Sequence, residues 1–137
     1  MLGALRELSI IACLTGIGMA FSLISGLAPR PWQPAELQAG QIELADARVL
    51  DVLWIDARSE AAYRQAHIPG AIHLNEDNWP QAIFSLVEAW LDRPRPLVVY
   101  CGSAECNASQ QLAERLRAAL PEAEVYSLKG GWDAWHK

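Results

Sequence analysis

The pattern of hydrophobic and polar positions changes character once along the chain. From Leu8 to Ala28 no residue is charged, and the run is long enough for one helix to cross a bilayer, which takes roughly 20 residues. Pro29, Arg30 and Pro31 end it, and the polar stretch from Trp32 to about Gly40 reads as a linker. Beyond it, short apolar runs alternate with helical spacing. Gln41 to Leu44 is expected to be an edge strand, Ala45 to Asp51 a short helix, and Val52 to Ile55 a second strand ending at Asp56-Ala57-Arg58. Ser59, with Glu60 behind it, is a predicted N-cap for a helix over Ala61 to Gln65. His67-Ile68-Pro69-Gly70 turns the chain into a strand over Ala71 to Leu74, and Pro80 suits the first turn of the next helix. On that helix Ile83, Phe84, Val87, Trp90 and Leu91 are expected to form the apolar face.

The most apolar strand follows. Leu97-Val98-Val99-Tyr100 is a continuous run, as expected of a central strand buried on both faces. A loop from Cys101 leads to a helix beginning near Asn107 or Ser109, both good N-cap candidates, with Leu112, Ala113, Leu116 and Leu120 at helical spacing. Val125 to Leu128 is the last predicted strand, Lys129-Gly130-Gly131 a tight loop, and Trp132 to His136 a closing helical turn. Strands alternating with helices imply a mainly parallel sheet with helices on both faces. The expected division is a tail over 1–7, a transmembrane helix or signal anchor over 8–28, a linker over 29–40 and one α/β domain over 41–137.

For the apolar run the rival reading is a cleaved signal peptide, since Gly26-Leu27-Ala28 offers small residues at the right offsets. The run exceeds the usual apolar region of roughly 7–15 residues, and Pro29 would follow the cut, so a single-pass anchor is expected. Ile10-Ile11-Ala12-Cys13 resembles an acylation box, but few apolar residues precede it. Arg6 and Arg30 nearly balance the positive-inside signal; the very short tail favours an amino end in the cytoplasm and an extracytoplasmic, periplasmic domain. Ala12, Gly16 and Ala20 form a small-residue ridge, as do Gly18, Ser22 and Gly26, which suits a homodimer through the membrane helix.

Charge and cysteine count narrow the chemistry. A formal net charge of −5 and no basic stripe argue against a nucleic-acid partner. Three cysteines are too few for a disulfide scaffold, and their spacing suggests no zinc site. Attention falls on Cys101-Gly102-Ser103-Ala104-Glu105-Cys106-Asn107. A cysteine between a strand's carboxyl end and a helix amino end sits among unpaired N–H groups, which stabilise a thiolate. An alternative is that both loop cysteines are simply small apolar residues. His67 and His73 read as turn and strand residues rather than ligands, and no cofactor or metal is implied.

Five pieces in order carry a resemblance: Ile55-Asp56-Ala57-Arg58; Ala62-Tyr63; His67-Ile68-Pro69-Gly70-Ala71; Val98-Val99-Tyr100-Cys101; and Leu128-Lys129-Gly130-Gly131-Trp132 with Ala134-Trp135. From about Gln41 onward the chain resembles a single rhodanese domain. The resemblance implies a three-layer α/β fold and a sulfurtransferase in which Cys101 carries sulfane sulfur as a persulfide. That sulfur would come from a small-molecule or protein persulfide donor, or from thiosulfate, and pass to a thiol or another nucleophile. Gly102 is expected to permit close backbone approach, and Asp56 and Arg58 to brace the strand ends and neighbouring loops.

Two departures from the family pattern bear on function. The usual loop is shorter and often ends in an arginine, where this chain has Cys106, so phosphatase or arsenate chemistry is not expected. Glu105 puts a negative charge in the loop, which predicts weak use of dianionic thiosulfate. Cys106 is a candidate resolving thiol that would leave a Cys101–Cys106 disulfide. A thiol–disulfide redox protein and a non-catalytic interaction module at the membrane therefore stand beside the sulfurtransferase.

Overall fold

The computed structural model describes residues 37–103 and 106–136 of the 137-residue chain. The apolar run from Leu8 to Ala28, and with it the expected membrane helix, its orientation and its pairing, lies outside the described residues. Among the described residues no helix is long and apolar enough to cross a membrane.

Ten elements follow in order among the described residues: β1 (Gln41–Ile42), α1 (Leu44–Val49), β2 (Leu53–Asp56), α2 (Glu60–Gln65), β3 (Ile72–His73), α3 (Trp79–Asp92), β4 (Leu97–Tyr100), α4 (Ala108–Ala119), β5 (Val125–Leu128) and α5 (Gly131–Trp135). The strands form one sheet in the order β1-β5-β4-β2-β3, every adjacent pair parallel. This is the mainly parallel α/β sheet that the alternation of strands and helices implies. The expected central strand is β4, all four of whose residues are fully buried. Pleating divides them: Leu97 and Val99 join a core with Leu86 of α3 and Leu112, Ala113 and Leu116 of α4. Val98 and Tyr100 face the opposite core, with Ala47 of α1 and Trp132 and Trp135 of α5 packed there.

The elements depart from expectation where only one face or one side is held. Strands β1 and β3 are two residues each rather than four, and both are sheet edges with a single neighbour. The chain is already helical at Leu44, because Glu43 takes the N-cap position of α1 and pairs with Lys129 at 2.7 Å. On α3 the expected apolar face is rotated. Leu86 is the fully buried residue, Ile83 and Trp90 pack beside it with Trp79, Ala82 and Ala89, and Phe84 and Leu91 are 75% and 64% exposed. Positions 79, 82, 83, 86, 89 and 90 follow the i, i+3, i+4, i+7 seam, whereas 84 and 91 lie one residue off it, about 100° around the helix.

Capping agrees at one helix and differs at another. The Ser59 hydroxyl accepts the Ala62 N–H, as expected. Asn107 holds the N-cap position of α4 in helical conformation (φ −80°, ψ −10°) without a side-chain cap. Ser109 lies inside that helix and is buried.

Candidate active site

The site begins where β4 ends. Cys101 directly follows Tyr100, so it emerges at the carboxyl end of the central strand, where open parallel sheets bind ligands. Its backbone is fixed by the start of α5. The Trp132 N–H donates to the Cys101 carbonyl at 2.7 Å and the Asp133 N–H to the Gly102 carbonyl at 3.3 Å. This docking requires glycine at 131: its φ is +55°, and a Cβ there would stand 2.4 Å from the Cys101 oxygen. The close approach expected at Gly102 therefore occurs at Gly131, since a Cβ at Gly102 would meet nothing within 4 Å.

Beneath the loop lies a buried polar knot. Asp56, with no exposure, receives the Arg58 guanidinium through Nε (3.0 Å) and Nη2 (2.6 Å) and the Tyr100 hydroxyl at 2.7 Å. The Tyr100 hydroxyl in turn accepts the Ile68 N–H at 3.1 Å, and Arg58 donates onward to the Ala66 carbonyl at 2.6 Å. The guanidinium lies 4.2 Å from the Trp132 ring centroid, and that ring stacks on Tyr100. Asp56 and Arg58 thus tie the end of β2 to the turn over 66–68 and to the residue before Cys101. Hydrogen bonding to Asp56 raises the Arg58 pKa against the opposing effect of burial. Burial raises that of Tyr100 above the usual phenol value.

The two loop sulfurs occupy unlike surroundings. Cys101 is 1% exposed, and its thiol faces the Cys106 carbonyl at 3.1 Å, the Ser103 carbonyl at 3.6 Å and the Ser109 hydroxyl at 3.4 Å. Burial, followed by its hydrogen bond to Cys106, pushes the Cys101 thiol up, and Ser109 offsets this only in part. Cys106 is more exposed. Burial alone would raise its pKa, but hydrogen bonds from Cys101 and from the N–H groups of Ala108, Gly102 and Ser109 together bring it below the ordinary thiol value. The amide that favours the Cys101 thiolate is that of Ser109, whose hydroxyl also lies 3.4 Å from the sulfur, whereas the Cys106 thiolate is favoured by the amides of Ala108, Gly102 and Ser109.

Cys101, Gly102, Ser103, Cys106 and Asn107 therefore share one loop, with Asp56 and Arg58 supporting it from below through Tyr100; Ala104 and Glu105 lie outside the described residues. His67 Nδ1 is 2.9 Å from the Tyr63 carbonyl, and His73 Nε2 2.9 Å from that of Arg58. A cavity of about 280 Å³ opens beside the loop between Ala57, Ser59, Glu76, Asp77, Ala108 and Gln111. Ser109, Tyr100 and Gly131 have roles the sequence reading did not assign. Ser109 had a signal: it falls on the stripe of Leu112, Ala113 and Leu116, where a hydroxyl needs a buried partner.

Comparison with known proteins gives a consistent family. Residues 34–137 match the Rhodanese-like domain family. Thiosulfate sulfurtransferase GlpE of Shewanella oneidensis is 33% identical over 96 residues, covering 70% of this chain and 85% of that protein. The protein of the same name from Pseudomonas syringae is 38% identical over 81 residues, covering 59% and 69%. Among solved structures, a thiosulfate sulfurtransferase from Pseudomonas aeruginosa aligns with a TM-score of 0.53 and 26% identity, covering 80% of this chain and 20% of that one.

Proposed function

The chain belongs to the rhodanese-like domain family, and from that membership we propose a sulfurtransferase that carries sulfane sulfur as a persulfide on Cys101. Sulfur transfer at the family level follows from the relationship to the GlpE proteins. The observation that carries the assignment to Cys101 is its position: the first residue past the fully buried central strand, its carbonyl held by the α5 amides. A cysteine thiolate attacks the outer sulfur of the donor, the donor's own sulfur leaves with the electron pair, and an acceptor thiolate then removes the sulfane sulfur and returns Cys101 to a thiolate. The Ser109 hydroxyl, 3.4 Å from the Cys101 sulfur, can turn its O–H toward the persulfide anion, so neither step calls for a metal or cofactor.

Donor preference follows from charge. Glu76 and Asp77 line the cavity beside the loop, and Glu105 lies within the loop sequence, so a neutral or zwitterionic persulfide is favoured over dianionic thiosulfate. The acceptor is a thiol. The uncharged run over 8–28 would hold the domain at a membrane as a single-pass anchor, with the domain on the extracytoplasmic side and a helix ridge suited to pairing.

A second reading has its own support. The Cys101 thiol donates to the Cys106 carbonyl at 3.1 Å, which sets the two cysteines side by side, and a thiol–disulfide protein would use both sulfurs without storing sulfur. Intact mass after reduction and exposure to a persulfide donor separates the two. A gain of one sulfur, lost on Cys101→Ser in the steady state of turnover, supports the carrier. Loss of two hydrogens with no sulfur gained makes the redox protein the better account, and no change in mass leaves an interaction module.

A further inference from the structure

Resting on the sulfurtransferase reading, we propose that Ser109 is a catalytic residue of the transfer at Cys101. Its hydroxyl accepts from the resting thiol and turns to donate to the sulfur anion once Cys101 is ionised or loaded. Ser109 lies in the first turn of α4 and is 3% exposed, and its Oγ stands 3.4 Å from Cys101 Sγ. A buried hydroxyl needs a partner, and that sulfur is the partner the structure gives it. The Cys106 carbonyl at 3.1 Å and the Ser103 carbonyl at 3.6 Å also face the sulfur. Carbonyl oxygens only accept, so they suit the protonated thiol and oppose its ionisation. A hydroxyl carries one donor and two acceptor sites and rotates to suit either state. Of the three groups, Ser109 is the one able to follow the departure of the proton. Its backbone N–H lies in the first helical turn, where amides have no intrahelical acceptor, and Asn107 supplies no side-chain cap. Both Ser109 groups oppose the rise that burial gives the Cys101 pKa, in agreement with this arrangement.

The step it serves is direct loading of Cys101. The thiol releases its proton to solvent, and the thiolate attacks the outer sulfur of a persulfide R–S–SH. The Sγ–S bond forms, the bond between the two donor sulfurs breaks, and RS⁻ leaves with the electron pair and takes up a proton. The sulfane sulfur changes partners and not oxidation level, so no oxidant or reductant is consumed. Ionisation of the loaded form then gives Cys101–S–S⁻. Negative charge thus sits at Cys101 just before the attack and again once the sulfur is held. At both points the Ser109 O–H replaces a repulsion from the carbonyls with an attraction. Ser109 therefore raises the thiolate fraction for loading and holds the persulfide against return of its sulfur to the donor.

The test compares Ser109→Ala with wild type, each as the full chain. Alanine keeps the Cβ and is the best helix former, so α4 is preserved. Single-turnover loading with cysteine persulfide is followed across pH, quenched by iodoacetamide and read by peptide mass to locate the sulfur on Cys101. The titratable groups around Cys101 are Cys106 on the same loop, the Asp56, Arg58 and Tyr100 knot beneath it and Asp133 of α5. All are common to both proteins, so the difference reports Ser109. Loss of a hydrogen bond to the anion should move the loading midpoint up by about one pH unit. Below the midpoint loading should slow about three-fold, because the smaller thiolate fraction outweighs the greater nucleophilicity of a more basic sulfur. Above it the variant should be at least as fast as wild type. At equilibrium near neutral pH with a fixed ratio of cysteine persulfide to cysteine, the ratio of loaded to free Cys101 should fall about ten-fold, since the loaded form is an anion and the free form a thiol. A Ser109→Ala profile that superposes on wild type, or one slowed by the same factor at every pH, overturns the role of Ser109 and leaves the Cys101 carrier standing. A wild type that gains no sulfur on Cys101 overturns the sulfurtransferase reading itself, and the role of Ser109 with it.

Discussion

Gly131→Ala is the substitution the geometry penalises most sharply near the site. Glycine adopts φ +55° there, and an added Cβ would stand 2.4 Å from the Cys101 oxygen, 3.1 Å from its carbonyl carbon and 3.2 Å from the Ser103 nitrogen. All three are backbone atoms, so no side chain can move aside. Left-handed conformation costs an L-residue about 1–2 kcal/mol. Displacing α5 far enough to relieve the contact breaks the 2.7 Å bond from Trp132 N–H to the Cys101 carbonyl, and a buried polar group left unpaired costs about 1–3 kcal/mol. The sum is about 2–5 kcal/mol. In urea, where a domain of this size has m of about 1–3 kcal/mol per M, the midpoint should fall by about 1 M or more. Gly102→Ala is the internal control, because its Cβ meets nothing within 4 Å and its φ is not positive; it should stay within about 1 kcal/mol of wild type. Urea titration followed by near-ultraviolet circular dichroism measures both. A Gly131→Ala midpoint equal to wild type, or a Gly102→Ala midpoint falling as far, refutes the reasoning.

Other expectations use the same assays. Asp56→Ala removes the partner of the Arg58 guanidinium and of the Tyr100 hydroxyl and should cost about 3–5 kcal/mol in urea unfolding, because it leaves a charge buried alone; a loss under about 1 kcal/mol would contradict the buried network. Burial raises both the Cys101 thiol and the Tyr100 phenol, so the folded state keeps these protons longer than the unfolded chain does. Their stabilisation is complete below the unfolded values and is lost as pH rises through the folded ones, so unfolding free energy should decline above about pH 8.5, and a flat profile to about pH 10 would count against it. In Cys106→Ser, iodoacetamide alkylation of Cys101 should have its midpoint above the ordinary thiol value of about 8.5, since desolvation is the leading cause of its shift. Glu105→Gln should raise kcat/KM for thiosulfate several-fold and leave that for cysteine persulfide near wild type; equal effects on both would remove charge as the reason for donor preference.

Most of the fold was legible because β4 and its neighbours leave little choice. A four-residue apolar run with no polar position has to be buried on both faces, and strands alternating with helices place it in a parallel sheet. Legibility failed where one residue of offset matters and composition does not vary. On α3 both the stripe through Leu86 and the one through Phe84 and Leu91 contain apolar residues, so periodicity alone could not tell the core side from the solvent side. At the edges, two-residue strands read as longer because Leu44 and Ala71 are apolar, whereas the ladder stops where its single partner stops.

The site was legible as a set of residues and not as an electrostatic arrangement, and the reason is the peptide plane. Sequence places Cys101 between a strand and a helix, and any such residue is surrounded by both amide N–H groups and carbonyl oxygens. Which of the two a sulfur meets depends on the rotation of each plane in the loop. That rotation is set from outside the loop. Gly131 lets α5 approach the Cys101 carbonyl, Trp132 and Asp133 draw the Cys101 and Gly102 carbonyls toward α5, and the Ser103 and Cys106 carbonyls face the Cys101 sulfur. The Ser109 amide favours both thiolates, and those of Gly102 and Ala108 favour that of Cys106. The Gly-Gly-Trp segment, some 30 residues downstream of the cysteine, thus fixes the first two peptide planes of the cysteine loop from outside it. Placing alanine at 131 should therefore alter more than stability: by releasing the Cys101 carbonyl it should bring the alkylation rates of Cys101 and Cys106 closer together. Rates that keep their wild-type ratio in Gly131→Ala would mean that the loop holds its own peptide planes, and that the contact with α5 only secures the loop to the domain.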